Sequence, residues 1–271
     1  MSTRAIRQID IGVSDLGRSV AFYTDVVGLT LDESATDHQR LARLSAGTAV
    51  LVLTEVGPAA DRDNWVTDDL QKGFRHIGFR VSNTDAVADR VRRAGIPLQL
   101  EPLDAEGGVR IAFFPDPDGV MLEVVQGDLQ YHRVLSQPEV DDERSQPVPD
   151  APRFDHIALT VEDLDTAIEV FSSGLDYVPI GQLTQSSDPR GFVITYFRSA
   201  DTVFEVFTFT APKTSSPWTP GEGRAGFRAA TVVGADRTAA GAALVMVGAT
   251  LKTGNVWLTP DGFPLRVVEA V

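Results

Sequence analysis

The chain has 271 residues, of which 43% are apolar and 23% charged, so it can bury a core in one large or two ordinary domains and is not disordered. Its 38 acidic against 24 basic residues give a formal charge of −14, which argues against an extended nucleic-acid footprint and against adhesion to an anionic membrane. The absence of cysteine excludes disulfides, thiolate metal sites and cysteine nucleophiles. The start of the chain has no signal-peptide core, and no run approaches the roughly 18 apolar residues of a membrane span, so a cytoplasmic location is expected.

In chain order, Ile9, Ile11 and Val13 alternate with Gln8, Asp10 and Gly12, the period of a strand with one apolar face. Asp15 is placed to cap a helix bearing Leu16, Val20, Tyr23 and Val27, and Gly28 suits the left-handed residue that ends it. Strands at 41–44 and 50–53 follow. The same grammar then repeats. Ile77, Phe79 and Val81 precede a helix with Val87, Val91 and Ala94, stopped by Gly95, and then strands at 109–114 and 120–125. Ile157, Leu159 and Val161 precede Leu164, Ile168 and Phe171, with Gly174 as the stop, and strands at 192–197 and 203–209. Ala230 and Val232 precede Leu244 and Val247, with Gly248 as the stop, and a strand at 265–268.

Short repeats keep the same order in both halves. Gly73-Phe74-Arg75 recurs as Gly226-Phe227-Arg228, and Pro117-Asp118-Gly119 as Pro260-Asp261-Gly262. The expected fold is α+β, with four βαβββ modules at residues 1–69, 70–127, 153–212 and 223–271. Residues 128–152 hold Pro138, Pro147, Pro149 and Pro152 with the acidic run Asp141-Asp142-Glu143, and they read as a linker between domains 1–127 and 153–271.

Polar residues interrupt the apolar strands at matched places. The four opening strands carry Gln8, His76, His156 and Ala229; the four closing strands carry Leu51, Glu123, Glu205 and Arg266. A carboxylate among apolar neighbours is costly to bury without a partner. Strand parity puts His76 on the face of Gly78 and His156 on the face of Ala158, away from the apolar faces that helices should cover. Two histidines and two carboxylates suit one divalent ion such as Ni, Co, Zn, Mn or Fe.

At these residues the chain resembles the vicinal oxygen chelate superfamily, which includes glyoxalase I, bleomycin-resistance proteins and extradiol dioxygenases. The resemblance rests on 154–164 with His156, on 74–79 with His76, and on Asp116-Pro117-Asp118-Gly119 with Glu123. It implies two glyoxalase-like domains in which paired modules curl an eight-stranded, cup-shaped mixed sheet around a metal, with ligands from the first and last strand of each module. If neighbouring modules pair, the first cup holds Gln8, His76 and Glu123, and both cups are incomplete. If modules two and three pair, one cup holds His76, Glu123, His156 and Glu205. Modules one and four then form a metal-free cup with Gln8, Leu51, Ala229 and Arg266. The crossed arrangement is favoured because it leaves one full site and one empty one.

The function this implies is a metal-dependent lyase or isomerase of the glyoxalase I type. It would act on a small carbonyl or vicinal-oxygen substrate, with Glu123 or Glu205 as base. An Fe(II) extradiol-type dioxygenase is the alternative enzyme, although Phe113 stands where that motif has Tyr. A metal-free drug-binding protein with walls from Phe192, Tyr196, Phe207 or Trp218 is the non-catalytic alternative. A small-molecule substrate, no nucleic acid, no membrane, and a monomer or homodimer are expected. His38 is expected to be solvated, His132 to lie on the surface or near a cup mouth, and the loop 210–224 to be a lid or a plain surface loop.

Overall fold

The computed structural model describes residues 4–32, 40–58, 61–62, 65–216, 223–234 and 237–269. His38, Trp218 and most of the tip of the 210–224 loop lie outside these residues. The first quarter contributes β1 (Ala5–Val13), α1 (Leu16–Ala21), β2 (Thr30–Leu31), β3 (Leu41–Ala46) and β4 (Ala49–Glu55), followed by β5 (Asp61–Arg62). The second contributes β6 (Gly73–Arg80), α2 (Thr84–Arg93), β7 (Leu100–Asp104), β8 (Arg110–Pro115) and β9 (Met121–Gln126). After β10 (Arg133–Val134) and α3 (Gln137–Ser145) come β11 (Arg153–Thr160), α4 (Leu164–Ile168), β12 (Val178–Thr184), β13 (Val193–Ser199) and β14 (Thr202–Thr208). The last quarter has β15 (Arg224–Val233), α5 (Arg237–Met246), β16 (Thr250–Leu251), β17 (Trp257–Leu258) and β18 (Pro264–Val268).

Local chemistry sets the helix ends. The Asp15 carboxylate accepts from the Arg18 amide at 2.9 Å and caps α1, which runs on through a π-helical turn over Phe22–Val27 and stops at Gly28 with φ 101°. Asp163 caps α4 in the same way, through the Thr166 amide at 2.8 Å. Gly174 does not supply the left-handed residue expected after that helix; Asp176 does, with φ 66°. Asp is one of the residues that tolerates this region.

Among the described residues two mixed nine-stranded sheets form. One runs β16-β17-β18-β15-β1-β4-β3-β2, with β5 beside β15; the other runs β10-β12-β13-β14-β11-β6-β9-β8-β7. The central antiparallel pair β1/β15 joins the first quarter to the last, and β6/β11 joins the second to the third. Each sheet therefore draws strands from both halves of the chain, which is the crossed arrangement. The strand count is one more per sheet than the fold resemblance implies, because β10 adds to an edge and β5 pairs with the start of β15.

Within each half, contacts are made by helices and turns instead. Arg90 donates to the carbonyls of Val26 and Val27 at 2.8 and 3.1 Å, tying α2 to the end of the first helix. Asp118 accepts from the Ser14 amide at 3.0 Å, and its repeat counterpart Asp261 accepts from the Glu162 amide at 2.8 Å. Between the halves, the repeat phenylalanines Phe74 and Phe227 stack with centroids 4.0 Å apart. One large apolar core, including Ile9, Ile11, Ile77, Phe79, Ile157, Phe204 and Phe263, fills the space between these layers.

The segment read as a linker is built into the second sheet. β10 pairs with edge strand β12, and α3 begins with a proline in its first turn, where a missing N–H is harmless. Arg198, nearly fully buried, reaches Glu139 at 2.8 Å and Asp142 at 2.5 Å, and Val140 is buried beneath the helix. No helix among the described residues is long and apolar enough to cross a membrane.

Candidate metal centre

The second sheet brings His76, Glu123, His156 and Glu205 together. One ligand atom from each lies within 4.8 Å of every other, and all four residues are buried. The register explains why they fit. Gly78 stands between Glu123 on β9 and His156 on β11, while Ala158 stands between Glu205 on β14 and His76 on β6. Each ring therefore lies over a small residue of the partner strand. A Cβ on Gly78 would sit 2.1 Å from His156 Cε1, so the ring occupies the space that a side chain would need.

The imidazole nitrogens His76 Nε2 and His156 Nε2 are 3.1 Å apart, and each is 3.0 Å from the same oxygen, Glu123 Oε2. Glu205 Oε2 lies 3.2 Å from His76 Nε2 and 3.4 Å from His156 Nε2, yet forms no hydrogen bond of acceptable angle. Burial by itself would lower both histidine pKa values; the adjacent carboxylates outweigh it and hold both rings above their ordinary value. Burial would likewise raise Glu123, but its hydrogen bonds to the two histidines hold it below the usual carboxylate range. Four donors thus converge on one point and require positive charge there.

A divalent ion fits that requirement. His156 Nδ1 lies 3.0 Å from Asp155 Oδ2, an arrangement that leaves the Nε2 lone pair facing the centre. The orphaned Glu205 oxygen is the fourth donor. The set of two imidazoles and two carboxylates is of the borderline type that Zn, Ni, Co, Mn and Fe accept.

Two features beside the four residues were not legible in the sequence. Asp155 falls at a register shift of β11 against β6, and this bulge turns its side chain toward the ring of the next residue, against strand alternation. In the matching place on β6 stands Arg75, which turns away to Gln71 and lies over Trp65 at 4.8 Å. Tyr196, expected only as an aromatic wall, also donates its hydroxyl to Glu205 Oε1 at 2.8 Å.

The centre forms the floor of a cavity of about 220 Å³. Phe192, Tyr196 and Phe207 line it, as expected, together with Phe113, Leu129 and Leu183. His132 stands near its mouth, with Nδ1 accepting from the Thr184 amide at 3.2 Å and Nε2 3.4 Å from Glu106.

Gln8 is not part of this centre. It lies on β1 in the other sheet, and its amide donates to Asp10 at 2.9 Å. Arg266 also binds Asp10, so two of the residues expected in a metal-free cup share one carboxylate. Leu51 does not occupy the ligand-equivalent place. It is fully buried in the apolar core, and Val52 stands beside Asp10 as Glu123 stands beside Gly78. Strand parity fixes faces, and Leu51 stands one residue out of phase with the ligand position.

The model of the Glyoxalase/Bleomycin resistance protein/Dioxygenase superfamily matches residues 5–124. A probable lactoylglutathione lyase of Vibrio cholerae serotype O1 is 35% identical over 136 residues, which cover 46% of this chain and 93% of that protein. The chain belongs to the glyoxalase/bleomycin resistance protein/dioxygenase superfamily. The lactoylglutathione lyase of Salmonella typhimurium is 33% identical over 124 residues, covering 42% of this superfamily member and 86% of that protein. In fold, this superfamily member is similar to glyoxalase I from Zea mays, with a TM-score of 0.68, 19% identity and coverage of 99% of this chain and 93% of that one. A putative dioxygenase from Bacillus subtilis is similar with a TM-score of 0.60 and 15% identity, covering 98% of this chain and 85% of that chain.

Proposed function

We propose that the chain is a metal-dependent lyase or isomerase of the glyoxalase type, acting on a small substrate with neighbouring oxygens. Its ligands are His76, Glu123, His156 and Glu205. The observation that carries this reading is the convergence of those four buried side chains within 4.8 Å. Relatives named lactoylglutathione lyase, at about one third identity, support the same class of reaction. A divalent ion held there supplies Lewis-acid polarisation of a carbonyl or of vicinal oxygens.

The chain's own residues handle the proton. Glu123 is the base: it takes the proton from the carbon bearing the hydroxyl and returns it to the neighbouring carbonyl carbon while the hydroxyl proton passes to the carbonyl oxygen, so one C–H and one O–H bond break, one of each forms, and no net oxidation occurs. Glu205 is the fixed ligand, because the Tyr196 hydroxyl holds its other oxygen. Phe113 stands in the matching place opposite Glu123 and offers no such tether. Asp155 orients His156, and the apolar walls exclude water from the reacting carbons. All four ligands come from one chain, so the site needs no second subunit.

The test is metal content of protein purified without added metal, compared with H76A and H156A. One ion per chain, lost in both variants together with conversion of α-ketoaldehyde thiohemiacetals, is the expected result. Wild type that neither carries nor takes up Zn, Ni, Co, Mn or Fe would overturn the reading.

A further inference from the structure

We infer that the substrate of this site is an uncharged, largely apolar molecule carrying neighbouring oxygens, and that anionic conjugates are disfavoured. The inference rests on the metal-centre reading above and narrows it.

The charges around the centre carry the argument. Besides the two glutamate ligands, the described residues lining the cavity include three carboxylates, Asp69, Glu106 and Asp155, and one guanidinium, Arg80. Arg80 is committed elsewhere: it binds Asp128 at 2.6 Å. Two guanidinium groups lie near Asp69, and both are engaged: Arg75 with Gln71 and the Val66 carbonyl, and Arg190 with Asp188 at 2.7 Å and with Asp68 and Asp69 at 3.6 Å. Glu106 lies 3.4 Å from His132 Nε2, and His132 Nδ1 accepts from the Thr184 amide. A divalent ion with two glutamates and two neutral imidazoles is itself electrically neutral. A ligand carboxylate entering this cavity meets an excess of negative charge and, among the described lining residues, no unpaired cation.

Size and lining point the same way. The cavity, at about 220 Å³, is smaller than the roughly 300–1,000 Å³ typical of sites for drug-sized ligands. Ten of its lining residues, among them Ile111, Phe113, Leu183, Phe192, Ile194 and Phe207, are apolar. Such walls reward a compact apolar group and leave the carboxylates of a peptide without partners.

The experiment uses two chelators with one common oxygen-donor head. Benzohydroxamic acid and 4-carboxybenzohydroxamic acid are titrated calorimetrically into Ni(II)-loaded protein, wild type and E106Q, at low and high salt. We expect the uncharged compound to bind about 10-fold more tightly, and the gap to narrow in E106Q and at high salt, where screening weakens repulsion. Equal or tighter binding of the carboxylated compound, or a gap indifferent to both changes, overturns the inference while leaving the metal centre intact. Binding of neither compound to the loaded protein overturns the oxygen-chelating centre and the inference with it.

Discussion

The Tyr196 hydroxyl donates to Glu205 Oε1 at 2.8 Å, whereas the ring standing opposite Glu123 in the same register is that of Phe113. The two glutamates are thus equivalent in strand position and unequal in freedom. Y196F should weaken metal binding about 10-fold, the usual effect of losing an outer-shell partner, and leave the fold intact. Competition with a chelator measures the first and thermal unfolding the second. Unchanged affinity would mean that the tether does not hold Glu205 as a ligand.

The same inequality separates the two amide variants. E123Q should lower turnover at least about 100-fold, the usual contribution of a general base. E205Q should act mainly through metal affinity and be partly restored by excess metal. The reverse pattern would make Glu205 the base.

Gly78 controls the position of His156. A Cβ there meets the ring at 2.1 Å, so G78A must push His156 off the centre. Metal stoichiometry should fall well below that of the wild type while the unfolding transition stays cooperative. Full metal content in G78A would show that the ring has room to spare.

Asp116 gives the fold a pH signature remote from the centre. Burial raises its pKa to about 6, despite hydrogen bonds from the amides of Val120 and Asp118 and from the Tyr23 hydroxyl. A folded value above the ordinary 3.8 means that the native state binds the proton more tightly. Its stabilising contribution is therefore full below about pH 4 and is lost as pH rises through about 6, by roughly 3 kcal/mol at most. Denaturant titrations of wild type and D116N from pH 4 to 7 should show wild type losing stability relative to D116N as pH rises, with most of the fall between about pH 4 and 6. A constant difference would refute the linkage.

The strap made by α3 should matter to stability. Removing both E139 and D142 carboxylates, as E139A with D142A, leaves Arg198 buried without either ion partner. The expected loss is about 3 kcal/mol, with metal affinity little changed. A loss below about 0.5 kcal/mol would show the arginine to be solvated.

The sequence by itself determined the repeating elements, the faces of the strands and the identity of the four buried polar residues. Periods of two and of 3.6, a helix cap at Asp15, and a His and a Glu amid apolar runs are local signals, and they survive in one dimension. Only the tertiary structure decided which quarters share a sheet. The antiparallel pair β6/β11 joins residues about 80 apart in the chain, and no local preference specifies such a pairing. The bulge that turns Asp155 toward His156, the tether from Tyr196 and the capture of Glu139 and Asp142 by Arg198 were hidden for the same reason. Each depends on where a neighbouring strand or helix lies, because side-chain partners are set by packing across elements.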